Sequence, residues 1–371
     1  MKKYTILHTI ETGGTGGAET IFLTLVTHLD RERFNHVVML PCDGWLRSKI
    51  EAAGVPTVVA GSRAWYDPRH PAVMAGLVMK AHVDLIHSHL PDENFYACLA
   101  GKLTGRMNVT TYHGAVDLAL AREGLKQRTK HWIARKWSTV AVAVCDDVAR
   151  LLIDMGFPSE RVVRIYNGID TTRFENAVAG RFRAEIGCSN GTKVISMVAN
   201  ANTWKGYEVF IKAAQSVAKR VPTAKFFAVG EVNQDLSADL HGLVERLNLQ
   251  KHFTFLGFRE DVPEILRDSD LFVLSSLSEG LPLVTLEAMS AGTPVVGTSC
   301  GGQLEVVRDG VSGVLVPPGD ANALADNIIG LLGDPARGRK MAQAARAVVR
   351  DKFSVDAMVR NYEALYDRLL N

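Results

Sequence analysis

The 371 residues include five cysteines, Cys42, Cys98, Cys145, Cys188 and Cys300, and no two of them make a C-x-x-C pair. An odd, scattered set excludes a disulfide framework and a structural zinc site, and it fits a reducing cytoplasm. All five read as small buried apolar residues. Long hydrophobic runs are missing as well: nothing approaches the roughly 20 apolar residues that a bilayer span requires. The apolar stretch after Met1-Lys2-Lys3 turns polar at Glu11, so it reads as a first β-strand and not as a signal peptide. Neither charge dominates. Lys and Arg number 42 against 40 Asp and Glu, a net charge of +2 that exerts no global pull on nucleic acid. No Ser–His–Asp set, metal-ligand cluster or isolated nucleophilic cysteine competes for the chemistry.

What is present is apolar residues, 47% of the chain against 22% charged, enough for large cores. At this length two α/β domains are expected. Short β-branched runs at 4–10, 36–40, 57–60, 84–87, 108–112, 139–144 and 162–165 read as strands. Helical periodicity fills the gaps at 18–29, 46–53, 72–81, 94–103, 122–137 and 146–155. Asn167-Gly168-Ile169-Asp170-Thr171 interrupts the alternation and has the composition of a hinge. The pattern then restarts, with strands at 193–198, 225–229, 252–255, 271–274, 294–296 and 313–316. Helices are expected between them at 207–218, 236–247, 262–267 and 283–291. Three helical stretches follow with no strand between them, at 321–332, 335–351 and 355–370. The fold class is α/β, two Rossmann-like doubly wound domains. The first spans 1–170 and the second 171–354, and the last helix, 355–371, is placed to cross back to the first.

The segment Glu279-Gly280-Leu281-Pro282-Leu283-Val284-Thr285-Leu286-Glu287 follows the apolar run 271–274. It therefore lies at the carboxyl end of a strand, the edge where open α/β sheets bind ligands. Pro282 suits the first turn of a helix. Free N–H groups near Gly280, Leu281 and Leu283 would then meet an anion, and a phosphate fits. Glu279 sits in the loop before that helix, and Glu287 about one turn further along it. Carboxylates repel a diphosphate, so the natural partners of both acids are sugar hydroxyls and a ribose.

This E-x7-E arrangement, followed by Ala291-Gly292-Thr293-Pro294-Val295-Val296, resembles the GT-B-fold retaining glycosyltransferases of family 4. Lys205-Gly206, Asn167-Gly168-Ile169-Asp170, the glycine loop 13–19, Leu256-Gly257-Phe258-Arg259 and Asp261-Val262 resemble further segments of that family, in order, so the likeness covers nearly the whole chain. The resemblance implies two domains facing across a cleft, the first for the acceptor and the second for a nucleotide-sugar donor. It implies that Glu279 holds hydroxyls of the donor sugar, Glu287 the ribose and Lys205 the diphosphate. Gly280, Leu281, Pro282 and Leu283 would line the donor, Phe258 and Arg259 the base, and Gly16 and Gly17 would let the first loop approach the phosphates. His113, after the strand 108–112, matches the family's histidine that faces the sugar. Catalytic roles would fall to His113, Glu279 and Lys205, with no metal and no cofactor, the nucleotide sugar (UDP- or GDP-linked) being a substrate. The acceptor would be a glycan or a lipid-linked glycan of a cell-surface polysaccharide or glycolipid.

One departure stands out. Relatives carry an arginine shortly before the Lys205 equivalent, whereas Ala199-Asn200-Ala201-Asn202-Thr203-Trp204 has none. Either asparagine donors such as Asn200 assist Lys205, or the diphosphate binds more weakly. Two other readings keep the same fold: a nucleotide-sugar epimerase, and a nucleotide-sugar-binding protein without catalysis.

Four further segments carry rival chemistry. Gly14 and Gly16 begin a dinucleotide fingerprint, but its third glycine position holds Glu19. Asp268-Ser269-Asp270 precedes a strand instead of following one, so it reads as turn chemistry and not as a metal motif. His87-Ser88-His89 reads as cleft-lining or packing histidines and not as a metal pair. From Arg122 to Trp137, six cations (Arg122, Lys126, Arg128, Lys130, Arg135 and Lys136) surround Leu125, Trp132, Ile133 and Trp137. This is either a solvated face over a core stripe or a contact with an anionic membrane on its inner, cytoplasmic face.

Overall fold

A computed structural model describes residues 3–62, 67–114, 118, 124–189, 191–232 and 234–371. Within them the β-branched runs pair into two wholly parallel sheets. The first holds β1 (Tyr4–Ile10), β2 (Phe34–Leu40), β3 (Thr57–Val59), β4 (Leu85–His89), β5 (Met107–Tyr112), β6 (Val140–Ala143) and β7 (Val162–Arg164), in the order β3-β2-β1-β4-β5-β6-β7. The second holds β8 (Lys193–Val198), β9 (Ala224–Val229), β10 (Phe253–Gly257), β11 (Leu271–Leu274), β12 (Val295–Thr298) and β13 (Val314–Val316), in the order β10-β9-β8-β11-β12-β13. Strand order reverses between β1 and β4 in one sheet and between β8 and β11 in the other. Each reversal opens a crevice at the carboxyl ends of the strands, where loops diverge.

Central strands are covered on both faces, as parallel sheets require, and every residue of β4, β11 and β12 is buried. The period-2 alternation sorts side chains into two layers per sheet. On β8 and β9, Ile195, Met197 and Phe226 face a core with Phe210, Leu324 and Ile328 from the helices Tyr207–Arg220 and Ala321–Gly333. Val194, Phe227 and Val229 face the opposite layer with Phe182 and Ile265. In the first sheet Met39 packs with Leu7, Ile86 and Phe95, while Val38 and Leu40 pack with Phe22 and Ile50.

The chain divides into two compact units, one of Met1–Gly168 with Val355–Asn371 and one of Ile169–Ser354. The final helix, Val355–Leu370, thus crosses back to the first unit, as the sequence allows. Tyr362 and Tyr366 are fully buried there. The Tyr366 hydroxyl lies 2.6 Å from His87 Nδ1, Arg33 pairs with Glu363 at 3.0 Å and with Asp367 at 2.5 Å, and the Tyr4 hydroxyl donates to the Leu370 carbonyl.

Some expectations need correction. The segment 167–171 is not all hinge. Ile169 N–H donates to the Phe353 carbonyl, and Asp170 caps the short helix Thr171–Glu175 by accepting from Thr172 and Arg173 N–H. Cys42 is exposed and Cys188 partly so, and only Cys98, Cys145 and Cys300 are buried. Lys130, counted with the solvated cations, is buried against Asp92. Among the described residues no helix is long and apolar enough to cross a membrane.

Candidate functional site

The β8/β11 crevice gathers the residues that the sequence singles out. After β8 the chain turns through Asn202, whose side chain accepts from Trp204 N–H, into the single 3-10 turn Thr203–Lys205. Gly206 follows with φ +65°, a left-handed conformation that favours glycine. A Cβ there would overlap the Ser275 carbonyl, so Gly206 lets the loop after β8 lie directly on the loop after β11. That contact aims Lys205 at Glu279: Nζ donates to Oε1 at 2.6 Å, and Ser276 Oγ donates to the same oxygen at 2.5 Å. Glu279 is 8% exposed. Its Oε2 has no protein partner among the described residues and is free to accept from a ligand.

Glu279 and Gly280 rest on a second glycine pair. Gly302 N–H donates to the Gly280 carbonyl at 2.9 Å, and a Cβ at Gly301 (φ +47°) would overlap the Glu279 carbonyl. Thr298 Oγ1, at the end of β12, donates to the Ser276 carbonyl at 2.5 Å. Sequence reasoning missed Ser276, Thr298 and Gly301-Gly302. The only signal for the last pair was Gly-Gly at the carboxyl end of a strand neighbouring the motif.

Pro282 lies just outside the helix Leu283–Ala291 as its N-cap residue, one position earlier than expected. Its carbonyl accepts from Thr285 and Leu286 N–H. The N–H groups of Leu283 and Val284 precede any intrahelical acceptor, and together with the helix dipole they favour an anion at this edge. Glu287 stands further along the same helix. Burial pushes its carboxyl up to about 7, against the pull of the Arg173 charge.

The remaining predicted donor residues are nearby in sequence or on the adjacent strand edge. Asn200 Oδ1 accepts from Glu231 N–H at 3.0 Å, leaving its amide N–H groups available. Phe258, after β10, is 53% exposed. Arg259 is fully engaged, by Glu185 at 2.7 Å on two nitrogens and by Asp261 at 2.7 Å. The Asp268-Ser269-Asp270 carboxylates are also committed. Asp268 accepts from Gly180, Phe182 and Arg183 N–H, and Asp270 from Arg183 and Val194 N–H.

In the first unit the β1/β4 crevice is lined by Glu11, Thr12 and the glycine loop on one side and by Leu90 on the other. Leu90 holds φ +72°, a strained conformation for a branched residue, immediately before Pro91. Glu11 Oε2 accepts from Asp92 N–H at 3.0 Å, and burial, reinforced by the Asp92 charge, pushes its carboxyl up to about 7. Gly16 and Gly17 begin the helix Gly17–His28, but the Glu19 carboxylate folds back against Gly16 and accepts from Thr12 Oγ1. His113, beyond β5, meets His89 on β4 through Nε2 and Nδ1 at 2.9 Å, and burial lowers its ring to about 4.

Comparison with known proteins matches this chain at three levels. The profile of glycosyl transferases group 1 fits residues 179–348, and that of glycosyltransferase family 4 fits residues 15–173. The N-acetyl-alpha-D-glucosaminyl L-malate synthase of Bacillus anthracis is 30% identical over 81% of this chain and 79% of its own. The UDP-Gal:alpha-D-GlcNAc-diphosphoundecaprenol alpha-1,3-galactosyltransferase of Escherichia coli is 26% identical over 89% and 87%. The crystal structure of Anabaena Alr3699/HepE in complex with UDP and glucose superposes with a TM-score of 0.88 at 26% identity, covering 99% of this chain and 100% of that one. The architecture is that of the GT-B transferases, which act on nucleotide sugars. The chain belongs to glycosyltransferase family 4, with a second unit of the glycosyl transferases group 1 type.

Proposed function

We propose that this glycosyltransferase moves a hexose-type sugar from a UDP-sugar to a hydroxyl of a glycan or lipid-linked acceptor, with retention of anomeric configuration and without a metal ion. The observation that carries the reading is the Lys205–Glu279 pair at the β8/β11 crevice, beside the open N–H groups of the Leu283–Ala291 helix. Lys205 and the helix start hold the diphosphate, and an Asn200 amide N–H supplies a donor where relatives use arginine. Glu279 Oε2 accepts from sugar hydroxyls, Glu287 from the ribose, and Phe258 offers a face to the base. Arg259 acts through its carboxylate partners, holding the loop, more than through the base itself. The first unit takes the acceptor, and His113 is its side chain assigned to the sugar. UDP, and not GDP, is favoured by the HepE complex and by the galactosyltransferase named above.

In this reading the bond from the anomeric carbon to the diphosphate breaks first. Lys205 and the helix dipole stabilise the leaving UDP, and the sugar gains oxocarbenium character. The acceptor hydroxyl attacks from the same face, and the departing phosphate takes its proton. The lipid-linked substrate named for the E. coli relative supports a role in cell-surface polysaccharide or glycolipid synthesis.

A contact with an anionic membrane is part of the proposal. Arg122 lies outside the described residues. In the helix Gly124–Trp137, Leu125 is 82% exposed and Lys136 stacks over the exposed Trp132 at 4.9 Å. Lys102, Arg106, Lys136 and Arg161 line one groove at its C-terminal end. Flotation with anionic and neutral liposomes checks this contact, and equal binding to both would remove it.

The main experiment is thermal shift with UDP- and GDP-sugars in the presence of chelator, followed by NMR of the product formed with an acceptor extract. Stabilisation by UDP-sugars and an α-linked product from an α-linked donor are expected. Turnover that chelator abolishes, or an inverted product, overturns the mechanism. Release of free sugar or its epimer without acceptor would favour the epimerase.

A further inference from the structure

The first sheet concentrates imidazoles. His36 on β2, His8 on β1, His87 and His89 on β4, and His113 beyond β5 form a row. Successive ring centroids are 5.3, 5.8, 4.4 and 5.2 Å apart. Parallel register sets His8 directly beside His87. Burial lowers every one of these rings below its ordinary value, so all are neutral at neutral pH. A neutral imidazole has one N–H donor and one bare acceptor nitrogen, and its neighbours decide which is which.

His87 is fully satisfied, with Nδ1 2.6 Å from the Tyr366 hydroxyl and Nε2 2.8 Å from Thr111 Oγ1. It forms a fixed wall behind His89. The His8–His36 pair is joined at 3.2 Å through Nε2 and Nδ1, and the far nitrogen of each ring is buried without a partner. Whichever ring donates, the other keeps an N–H with no acceptor.

The His89–His113 pair is not so constrained. His89 Nδ1 and His113 Nε2 are 2.9 Å apart, and His89 Nε2 is buried without a partner, with the Phe22 ring near-perpendicular at 5.2 Å between centroids. His113 is partly exposed, and its Nδ1 is not among the buried unpartnered atoms. If His113 donated, His89 would carry its own proton on Nε2, a buried N–H with no acceptor. If His89 donates, its Nε2 is only a bare lone pair, and the His113 proton moves to the open side. Orphaned buried N–H groups are the rarer defect, so the second arrangement prevails.

We propose that His89 is a positioning residue that fixes the tautomer of His113, donating from Nδ1 to His113 Nε2 so that His113 presents an Nδ1–H to ligand oxygens. The inference rests on the reading of His113 as the side chain that meets the donor sugar. An N–H at that place donates to a sugar hydroxyl or phosphate oxygen, whereas a bare nitrogen could only accept. Without His89 nothing among the described residues of the sheet selects between the two tautomers.

The test is ring-15N histidine NMR of the full-length protein at neutral pH, with His113→Gln to assign the resonance. The wild type is expected to carry the His113 proton on Nδ1. In His89→Leu that proton redistributes to Nε2 and kcat falls roughly 10–100-fold, the scale seen when a partner that orients a histidine is removed, with donor KM nearly unchanged. His89→Asn, which keeps an amide N–H near the same position, restores the tautomer and most of the rate. A wild-type proton on Nε2 overturns the proposal even if no variant folds, and so does an unchanged tautomer in His89→Leu. A tautomer that shifts with no loss of turnover supports the positioning and instead overturns the placement of His113 in the reaction.

Discussion

Each carboxylate of the second unit is tuned by how many partners it shares. Glu279 already accepts from Lys205 and Ser276 on one oxygen. Lys205→Ala therefore removes the cation proposed for the diphosphate and leaves a nearly buried carboxylate with one hydroxyl. Loss of about 10²–10³ in kcat is expected, the cost of removing one preorganised donor, with a lower melting temperature as well, because the pair is only 23% and 8% exposed and Glu279 loses its cation. Steady-state kinetics with saturating donor checks it, and a change in KM alone would show that Lys205 binds the ground state and transition state equally. Glu287 makes a different prediction. Its folded pKa is raised from the ordinary 4.5 to about 7, so the folded state holds the proton more tightly than the unfolded chain. Its contribution is present at low pH and lost as pH rises from about 4.5 to about 7, on the order of 1–2 kcal/mol once partial exposure is allowed for. Glu11 acts in the same window and with the same sign. The melting temperature of the wild type should fall across that range, and Glu287→Gln with Glu11→Gln should flatten the slope; an unaltered slope would place its origin elsewhere. The spacing of Glu279 and Glu287 was legible because it is local chemistry in one motif, whereas Lys205, 74 residues from Glu279, entered only through the family resemblance. The pairing of Arg259 with Glu185 was not legible, since the partner is also 74 residues away and no motif marks it.

At the scale of the element, alternating strand and helix periods were enough to place both sheets, because each strand is followed by the amphipathic segment that covers it. What the periods could not show is how two loops from different strands are pressed together. Gly206 and Gly301 serve this purpose. Each has positive φ, and a Cβ on either would overlap a carbonyl oxygen of the loop after β11. Gly310 also has positive φ, +72°, but faces open space. Alanine at Gly310 should cost about 1 kcal/mol, the conformational term alone. Alanine at Gly206 or Gly301 adds the cost of overpacking, for a total of roughly 2–4 kcal/mol, and shifts Glu279 from Lys205. Urea denaturation with parallel UDP titration distinguishes the two. Equal losses of stability at all three sites, with UDP affinity intact, would mean that the loops give way freely and that the glycines serve only the backbone.

At the scale of the molecule the first unit is discontinuous, since residues 355–371 complete it after the whole second unit has been traversed. The returning helix is no ornament on a finished core. Tyr362 and Tyr366 have no exposed surface, His87 on the central strand β4 is bonded to the Tyr366 hydroxyl, and Glu363 and Asp367 hold Arg33. Removing the helix exposes that apolar face and leaves His87 with an unsatisfied nitrogen, so the first unit should lose most of its stability. Tyr366→Ala alone should cost about 3–5 kcal/mol, the range for truncating a buried aromatic. The two core layers described for the second unit draw on residues 182 to 341, all before the crossing. A chain ending at Ser354 is therefore expected to show rapid hydrogen exchange throughout β1–β7 while β8–β13 stay protected, and to keep its thermal shift with UDP. Protection lost in both sheets would show that the two units fold as one cooperative block, and protection kept in both would show that the first sheet is stable without its returning helix. The expected split follows from the chain path: the strands of the second sheet are closed before the crossing, whereas Tyr4, Phe34 and His87 on β1, β2 and β4 lack their partners until the chain has come back.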